Sequence, residues 1–335
     1  VTSRTVRPAL VLAASILLAL GAIGLSLAVG ARAVPLADVW HALAHPDLSA
    51  PDDIVVLTQR LPRTVIGLLA GAALGVAGAV MQGLTRNPLA DPGLLGVNSG
   101  ASVAVLAAIS VWGITSPAGF IWFAFGGAAA AAAVVFWIGS AGTQGASPAR
   151  LALTGAAVTA GLTSVSMLIL TTQQAAFNAY RFWSVGSLTG RDLSTALPLA
   201  PVIAVGIVIA LAFAGGLNLL AMGDQTARGL GHNVQRTRVV AVIAIVILCG
   251  SATAIAGPLV FVGLVVPHVA RALAGTDYRW IVAVSAPLGA ALLLTADTLG
   301  RIIAPPGEVE AGLVVAFIGA PMLIALVLRR RAVAL

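Results

Sequence analysis

The sequence predicts an all-α membrane protein, a polytopic bundle of about ten transmembrane helices joined by short loops. Three observations predict it. Of the 335 residues, 59% are hydrophobic and only 9% are charged, against about 25% charged in a water-soluble domain. A soluble core of this length could not hide so much apolar surface, so lipid must cover part of it. The apolar residues also fall into runs near the ~20 residues that a helix needs to cross hydrocarbon. Finally, Gly and Ala crowd those runs, as in GAALGVAGA (71–79) and GGAAAAAA (126–133). Small residues let helices pack closely where no hydrophobic force acts between them.

The first span is expected at 9–30, after Arg4 and Arg7. It ends near GARA, which resembles a signal-peptide cleavage site, but secretory apolar regions are about 7–15 residues long. The run is longer, and it reads as an uncleaved span. The polar stretch 31–59 follows, with a short amphipathic helix over 36–43. His41 and His45 are four apart there, a spacing that can hold a metal. No third ligand is near, so they read as solvated surface.

The second span is expected at 62–83, with Pro62 in the first helical turn, where no backbone N–H is required. NPLADPGLLGVNSGA (87–101) has the Pro, Gly and Asn of a loop, yet sits between long apolar segments. It leads into a third span at 94–113. Spans four and five are placed at 119–139 and 149–172. The fifth carries Thr154, Thr159, Thr163, Ser164, Ser166, Thr171 and Thr172. Thr159, Thr163 and Ser166 are the candidates for lining a polar pathway. Hydroxyls also bond back to their own helix, so the cluster alone does not prove a pore. The aromatic segment 177–191 suits the interface, and Gly186 and Gly190 suggest a turn. The remaining spans are expected at 195–215, 237–257, 259–273, 279–299 and 311–328. The eighth is short, with its start near Gly257-Pro258. Residues 1–335 read as a single transmembrane domain.

LNLLAMGDQTARGLGHNVQRTR (217–238) is too polar to be a span, yet it keeps helical periodicity through Leu220, Ala227 and Leu230. Gly223-Asp224 reads as a turn and helix start with Asp224 as N-cap, and Gly229 and Gly231 read as a stop. One or two short helices on the cytoplasmic face are expected. A short exposed helix is poorly stabilised alone, so this one makes sense as an element that docks into a partner.

The chain has no Lys, so it has no phosphate-binding GxxxxGK[ST] loop of its own. It has no HExxH motif, and no Asp or Glu falls in the middle of an expected span. Carriers driven by ions place ionisable groups there, which disfavours that class. The nearest acid is Asp297, with Arg301 at i+4 as its structural partner. The net charge of +7 comes from arginines scattered between apolar runs, which disfavours nucleic acid. With the N-terminus inside, Arg4, Arg7, Arg86, Arg150, Arg228, Arg236, Arg238, Arg271, Arg279, Arg329, Arg330 and Arg331 fall inside, while Arg32, Arg60, Arg63, Arg181, Arg191 and Arg301 fall outside. That asymmetry supports both termini inside. Cys249 cannot form an internal disulfide and reads as a packed, inert thiol.

Several long motifs, in order, resemble the permease family of ABC importers for iron–siderophore complexes, haem and cobalamin. They are RLPRTVIGLLAGAALGVAGAVMQGLTRNPLADPGLLGVNSGA (60–101), WSVGSL (183–188), LNLLAMGDQTARGLG (217–231), FVGLVVPHVARALAGTDYR (261–279), ADTLGR (296–301) and EVEAGLVVAFIGAPMLIALVLRR (308–330). The resemblance implies a multi-pass subunit of the bacterial cytoplasmic membrane, paired with a second identical or homologous permease. It further implies two ATPase subunits carrying ATP and Mg, and an extracytoplasmic binding protein that delivers cargo. This chain itself would be non-catalytic and bind no cofactor or metal. Within the loop that matches the family's coupling helices, Gly223, Asp224, Ala227, Arg228, Gly229, Leu230 and Gly231 are the coupling candidates. Arg60, Arg63 and Arg301 match outer basic positions that meet acidic residues of the binding protein. A ferric siderophore is the expected cargo, with cobalamin or haem as the alternative. Two departures stand out. Glu310 occupies a place where the family has Pro, and Pro148-Ala149 precede Arg150 where a hydroxyl gate is common, so no such gate is transferred.

Overall fold

The computed structural model describes residues 8–30, 32–141, 148–304 and 307–333. Arg4 and Arg7 lie outside the described residues, as do the side chains of Arg329, Arg330 and Arg331. Helix α1 is Pro8–Ala28 and α2 is Leu36–Ala44. Helix α3, Pro51–Ile54, passes through a π-helical stretch, Val55–Arg60, into α4, Leu61–Thr85. A 3-10 turn, Pro92–Leu95, precedes α5, Val97–Trp112; then come α6, Pro117–Ser140, α7, Pro148–Thr172, and α8, Gln174–Ser184. Helix α9, Leu193–Ala196, runs through a further 3-10 turn into α10, Ala200–Ala221. The rest are α11, Asp224–Gly229, α12, Val234–Ala256, α13, Val262–Ala274, α14, Tyr278–Ile303, and α15, Ala311–Val333.

Among the described residues, eight helices are long and apolar enough to cross a membrane, and the shorter apolar α5 and α13 stand where the third and eighth spans are expected. At 1.5 Å per residue neither α5 nor α13 reaches across ~30 Å of hydrocarbon. Each is preceded by buried chain outside the α-helices, with Ala90 and Leu95 before α5 and Leu259 before α13. Such backbone is tolerated among spanning helices only when protein surrounds it. Thr253 on α12 donates to Asn98 at 2.9 Å, and Pro92 packs on Gly263. From Ala90 onward the run 87–101 is therefore an internal packing element rather than a surface loop.

Three expected boundaries move. The second span starts well before 62, because chain from Pro51 onward is already helical. Pro62 follows a widened turn in which the Leu61 N–H reaches Val56, a local geometry that relieves proline's clash with the preceding turn. The sixth span runs on to Ala221 and absorbs 217–221. The seventh begins at Val234, where the Asn233 side chain caps the Arg236 N–H.

Helix α4 is the axis of the bundle. Its 67–71–75–78 face is all glycine, and those glycines lie against α14 and the start of α13. A methyl group on Gly71, Gly75 or Gly78 would overlap backbone of Gly289, Ser285 or Gly263. This face admits only glycine because helix backbones meet there directly.

At the α2 end, a buried carboxylate ties α4 to α14. Asp297 is 1% exposed. Its Oδ1 accepts from Arg63 Nη2 at 2.8 Å, and its Oδ2 accepts from Arg301 Nη2 at 2.6 Å and Nε at 3.0 Å. Arg301 also donates to the Ser26 and Val29 carbonyls at the end of α1. Arg60 donates to the Leu27 and Ala28 carbonyls at 2.8 and 2.7 Å, and to the Arg32 carbonyl. The free carbonyls that close α1 are thus capped by two guanidinium groups, which also suit the negative end of the helix dipole. Replacing Asp297 by Asn leaves buried Arg301 without its charge partner and Arg63 with Glu308 alone. The expected loss is about 3–5 kcal/mol, read as a lowered thermal unfolding midpoint in detergent. An unchanged midpoint would show that the latch contributes little.

Candidate functional site

The coupling candidates form a compact hook at the end of the bundle opposite α2. Gly223 has φ 100 and Gly231 has φ 77, backbone that favours glycine, so the chain turns sharply on both sides of α11. Asp224 is the first residue of α11 rather than its N-cap; Gly223 holds the cap position, with no side-chain cap bond. The Asp224 carboxylate is instead engaged by arginines. Arg238 Nη2 donates to Oδ2 at 2.6 Å, and Arg86 Nη2 stands 3.4 Å from Oδ1. Ala227 is the one buried residue of α11. Arg228, Gly229 and Leu230 are exposed, as is Met222 before the helix. Arg86 and Arg238 had no role in the sequence beyond the count of basic residues by side. Nothing in their local pattern shows that three elements converge on Asp224.

Nearby, Asn218 on α10 donates to Asp277 at 2.6 Å and accepts from the Tyr278 N–H at 2.8 Å. That amide, then the Arg279 N–H, holds the Asp277 carboxyl below its usual range. The pair joins the end of α10 to the start of α14.

Arg60, Arg63 and Arg301 do gather at the α2 end, but they turn inward. They are 4%, 8% and 3% exposed. Arg60 and Arg63 diverge: one reaches α1, the other Asp297 and Glu308. The contact between Arg63 Nη1 and Glu308 Oε2 is 2.7 Å, and the Glu308 side chain is 34% exposed. Of the three arginines, Arg63 thus has a partner at the surface. Beside them, Glu310 lines a cavity of about 390 Å³ together with Arg191, Trp183, Phe120 and Ser187. Burial lowers the Arg191 pKa to about 10, and the Glu310 charge partly opposes that shift.

The three pathway candidates on α7 separate. Thr163 is exposed, whereas Thr159 is half-buried with its hydroxyl 3.4 Å from Ser99 on α5. Ser166 is 8% exposed. Ser164, Thr171 and Thr172 bond back to carbonyls of their own helix, the local alternative that hydroxyls always have. His41 and His45 are exposed with ring centroids 5.6 Å apart, and no group of three metal-ligating side chains occurs among the described residues. Cys249 is buried and free.

Comparison with known proteins gives a consistent result. The profile of the FecCD transport family matches residues 16–329. The ferric enterobactin transport system permease protein FepD of Escherichia coli (strain K12) is 47% identical over 316 residues, 94% of each chain. The Fe(3+)-citrate import system permease protein YfmD of Bacillus subtilis (strain 168) is 41% identical over 309 residues, 92% of this chain and 91% of its own. The hemin transport system permease protein HmuU of Yersinia pestis is 37% identical over 322 residues, 94% and 93% of the two chains. A solved inward-facing metal-chelate type ABC transporter chain superposes with a TM-score of 0.81 at 25% identity, covering 96% of this chain and 99% of that one. The profile spans most of the length and the relatives match over more than nine-tenths of each chain, so the chain belongs to the FecCD transport family.

Proposed function

We propose that this chain is the membrane-spanning subunit of an ATP-driven importer and forms the translocation pathway for a ferric siderophore. The observation that carries the reading is the 47% identity, over nearly all of both chains, to a ferric enterobactin permease. The chain works with a second permease, two ATPase subunits that bind ATP and Mg, and an extracytoplasmic binding protein. It hydrolyses nothing itself. Helix α11 is the element the ATPase grips: its outward face is free, and a six-residue helix has little reason to project from a bundle unless a partner receives it. Thr163 on the exposed side of α7 is the pathway-lining candidate best placed to meet cargo.

The purified complex in proteoliposomes is expected to take up a ferric siderophore only with ATP, binding protein and ATPase all present. Uptake driven by an ion gradient without ATP would return the chain to the secondary carriers.

Both termini and α11 face the cytoplasm in this reading, while α2 and α8 face outward. A single Cys at position 225 in a Cys249→Ser background should stay unlabelled by an impermeant thiol reagent in intact cells and react after permeabilisation. Labelling in intact cells would invert the topology.

The binding protein docks at the α2 end, where Arg63, through Glu308, is the arginine with a partner at the surface. Reversing Arg60 and Arg63 to Glu is a poor test, because both hold α1 and Asp297 in place and the fold would suffer first. Glu308→Gln is the cleaner variant. It weakens a surface competitor for Arg63 Nη1 without touching the buried latch. An acidic binding protein should then associate a few-fold faster at low salt, with the gain shrinking at high salt. Association rates equal to the parent's at both ionic strengths would remove Arg63 from the docking surface.

A further inference from the structure

Helix α11 is fastened to the bundle by charge more than by packing. It buries Ala227 alone, and glycines in left-handed backbone flank it on both sides. By itself such a segment would swing. Its first residue, Asp224, faces arginines from two other helices. Arg238, with a side chain 6% exposed, lies in the second turn of α12 and makes the short contact to Oδ2. Arg86 follows the last residue of α4 and makes the slack one, at 3.4 Å from an Oδ1 that is buried and otherwise has no hydrogen-bond partner.

The backbone at Arg86 is the second observation. Arg86 has φ 53 and ψ 30, the left-handed C-cap conformation. Glycine is the usual residue there, and an L side chain is disfavoured. Among the described residues only Arg86 and Phe261 combine positive φ with a side chain. Helix dipoles account for the signs, an acid at the start of α11 and a base at the end of α4. They do not account for an arginine in a glycine conformation aimed at the same carboxylate as Arg238.

We infer that Arg86, Asp224 and Arg238 are positioning residues that make α11 move as one body with α12 and with the end of α4. This deepens the reading of α11 as the ATPase-coupling helix and rests on it. Pressure on an untethered α11 would be taken up by rotation at Gly223 and Gly231. With the clamp closed, the same pressure reaches α12 through Arg238 and α4 through Arg86. Helix α4 lies backbone to backbone on α14 and the start of α13, so displacement at its end is passed on with little slack. The firm arm and the slack arm differ in kind: the first sets the orientation of α11, and the second is the contact with room to tighten when the ATPase loads the helix.

The test uses the intact permease–ATPase complex with its binding protein in proteoliposomes, reading cargo transported per ATP hydrolysed. Arg86→Gly is the decisive variant, because glycine fits the backbone at that position and the unfolding midpoint should hold or rise. ATPase co-purification should also be unchanged, since the exposed face of α11 is intact. The transport-to-hydrolysis ratio should fall about fivefold or more, the scale of an ordinary coupling free energy. Arg86→Lys should recover part of it, and Arg238→Met should lower the ratio as well. A parental ratio in both Arg86→Gly and Arg238→Met overturns the clamp. So does a fall in ratio that only tracks a fall in unfolding midpoint. Arg228→Glu and Leu230→Ser, on the free face of α11, separate this from the underlying reading. If they release the ATPase while the clamp variants transport normally, α11 is the coupling helix and the clamp is not its linkage. If neither set has an effect, the coupling reading of α11 fails together with the clamp.

Discussion

The direct contact of α4 with the backbones of α13 and α14 is the constraint on which the other arrangements depend. In lipid, helix association gains nothing from hiding apolar surface, so it must come from close packing and from polar contacts between helices. The glycines at 67, 71, 75 and 78 supply the first. Once α4 is seated there, its two ends become fixed points. One end presents Arg63 to Asp297, and the other presents Arg86 to Asp224. The candidate machinery at either face of the bundle is thus attached to the same buried rod.

Charge is used in the same economical way. Several arginines that look like surface anchors in the sequence close helix ends or neutralise buried acids inside the protein. Arg60 and Arg301 cap α1, Arg191 donates to the Ile255 carbonyl at the end of α12, and Arg238 holds Asp224. Guanidinium suits this work because its several donors can serve a carboxylate and carbonyls at once. This also explains why Asp297 can sit at 1% exposure: its cost of burial is offset on both oxygens by charge-assisted bonds.

The half-length helices α5 and α13 show where sequence reasoning reaches and where it stops. Their apolar content marked them as spans, and the brevity of the eighth was visible between Gly257-Pro258 and the polar residues after Ala274. Residues 87–93 were legible as loop chemistry from Pro88, Pro92 and Gly93. Their burial was not, because loop chemistry on its own implies surface. The neighbours decide it: Gly263 of α13 leaves room for the Pro92 ring and Gly155 of α7 for the Leu94 carbonyl. The same limit applies to Asp224. Gly-Asp before a helical pattern correctly marked a helix start, yet the carboxylate turned to distant arginines instead of the nearby N–H groups.

The sequence by itself determined the class of the molecule, the number and approximate position of its apolar segments, the hook at 223–231 and the family motifs. These are local or compositional properties: run length against membrane thickness, turn residues beside periodic ones, ordered strings of residues. Tertiary structure alone decided that Arg60, Arg63 and Arg301 point inward, that Thr159 faces α5 while Thr163 stays free, and that α4, α11 and α12 meet at one carboxylate. Arg63 and Asp297 are separated by 234 positions, and no local pattern encodes a pair so far apart. Such pairs arise when backbone contacts between helices set which residues share a level and a face. Those contacts come from packing, which a one-dimensional pattern of polar and apolar residues does not carry.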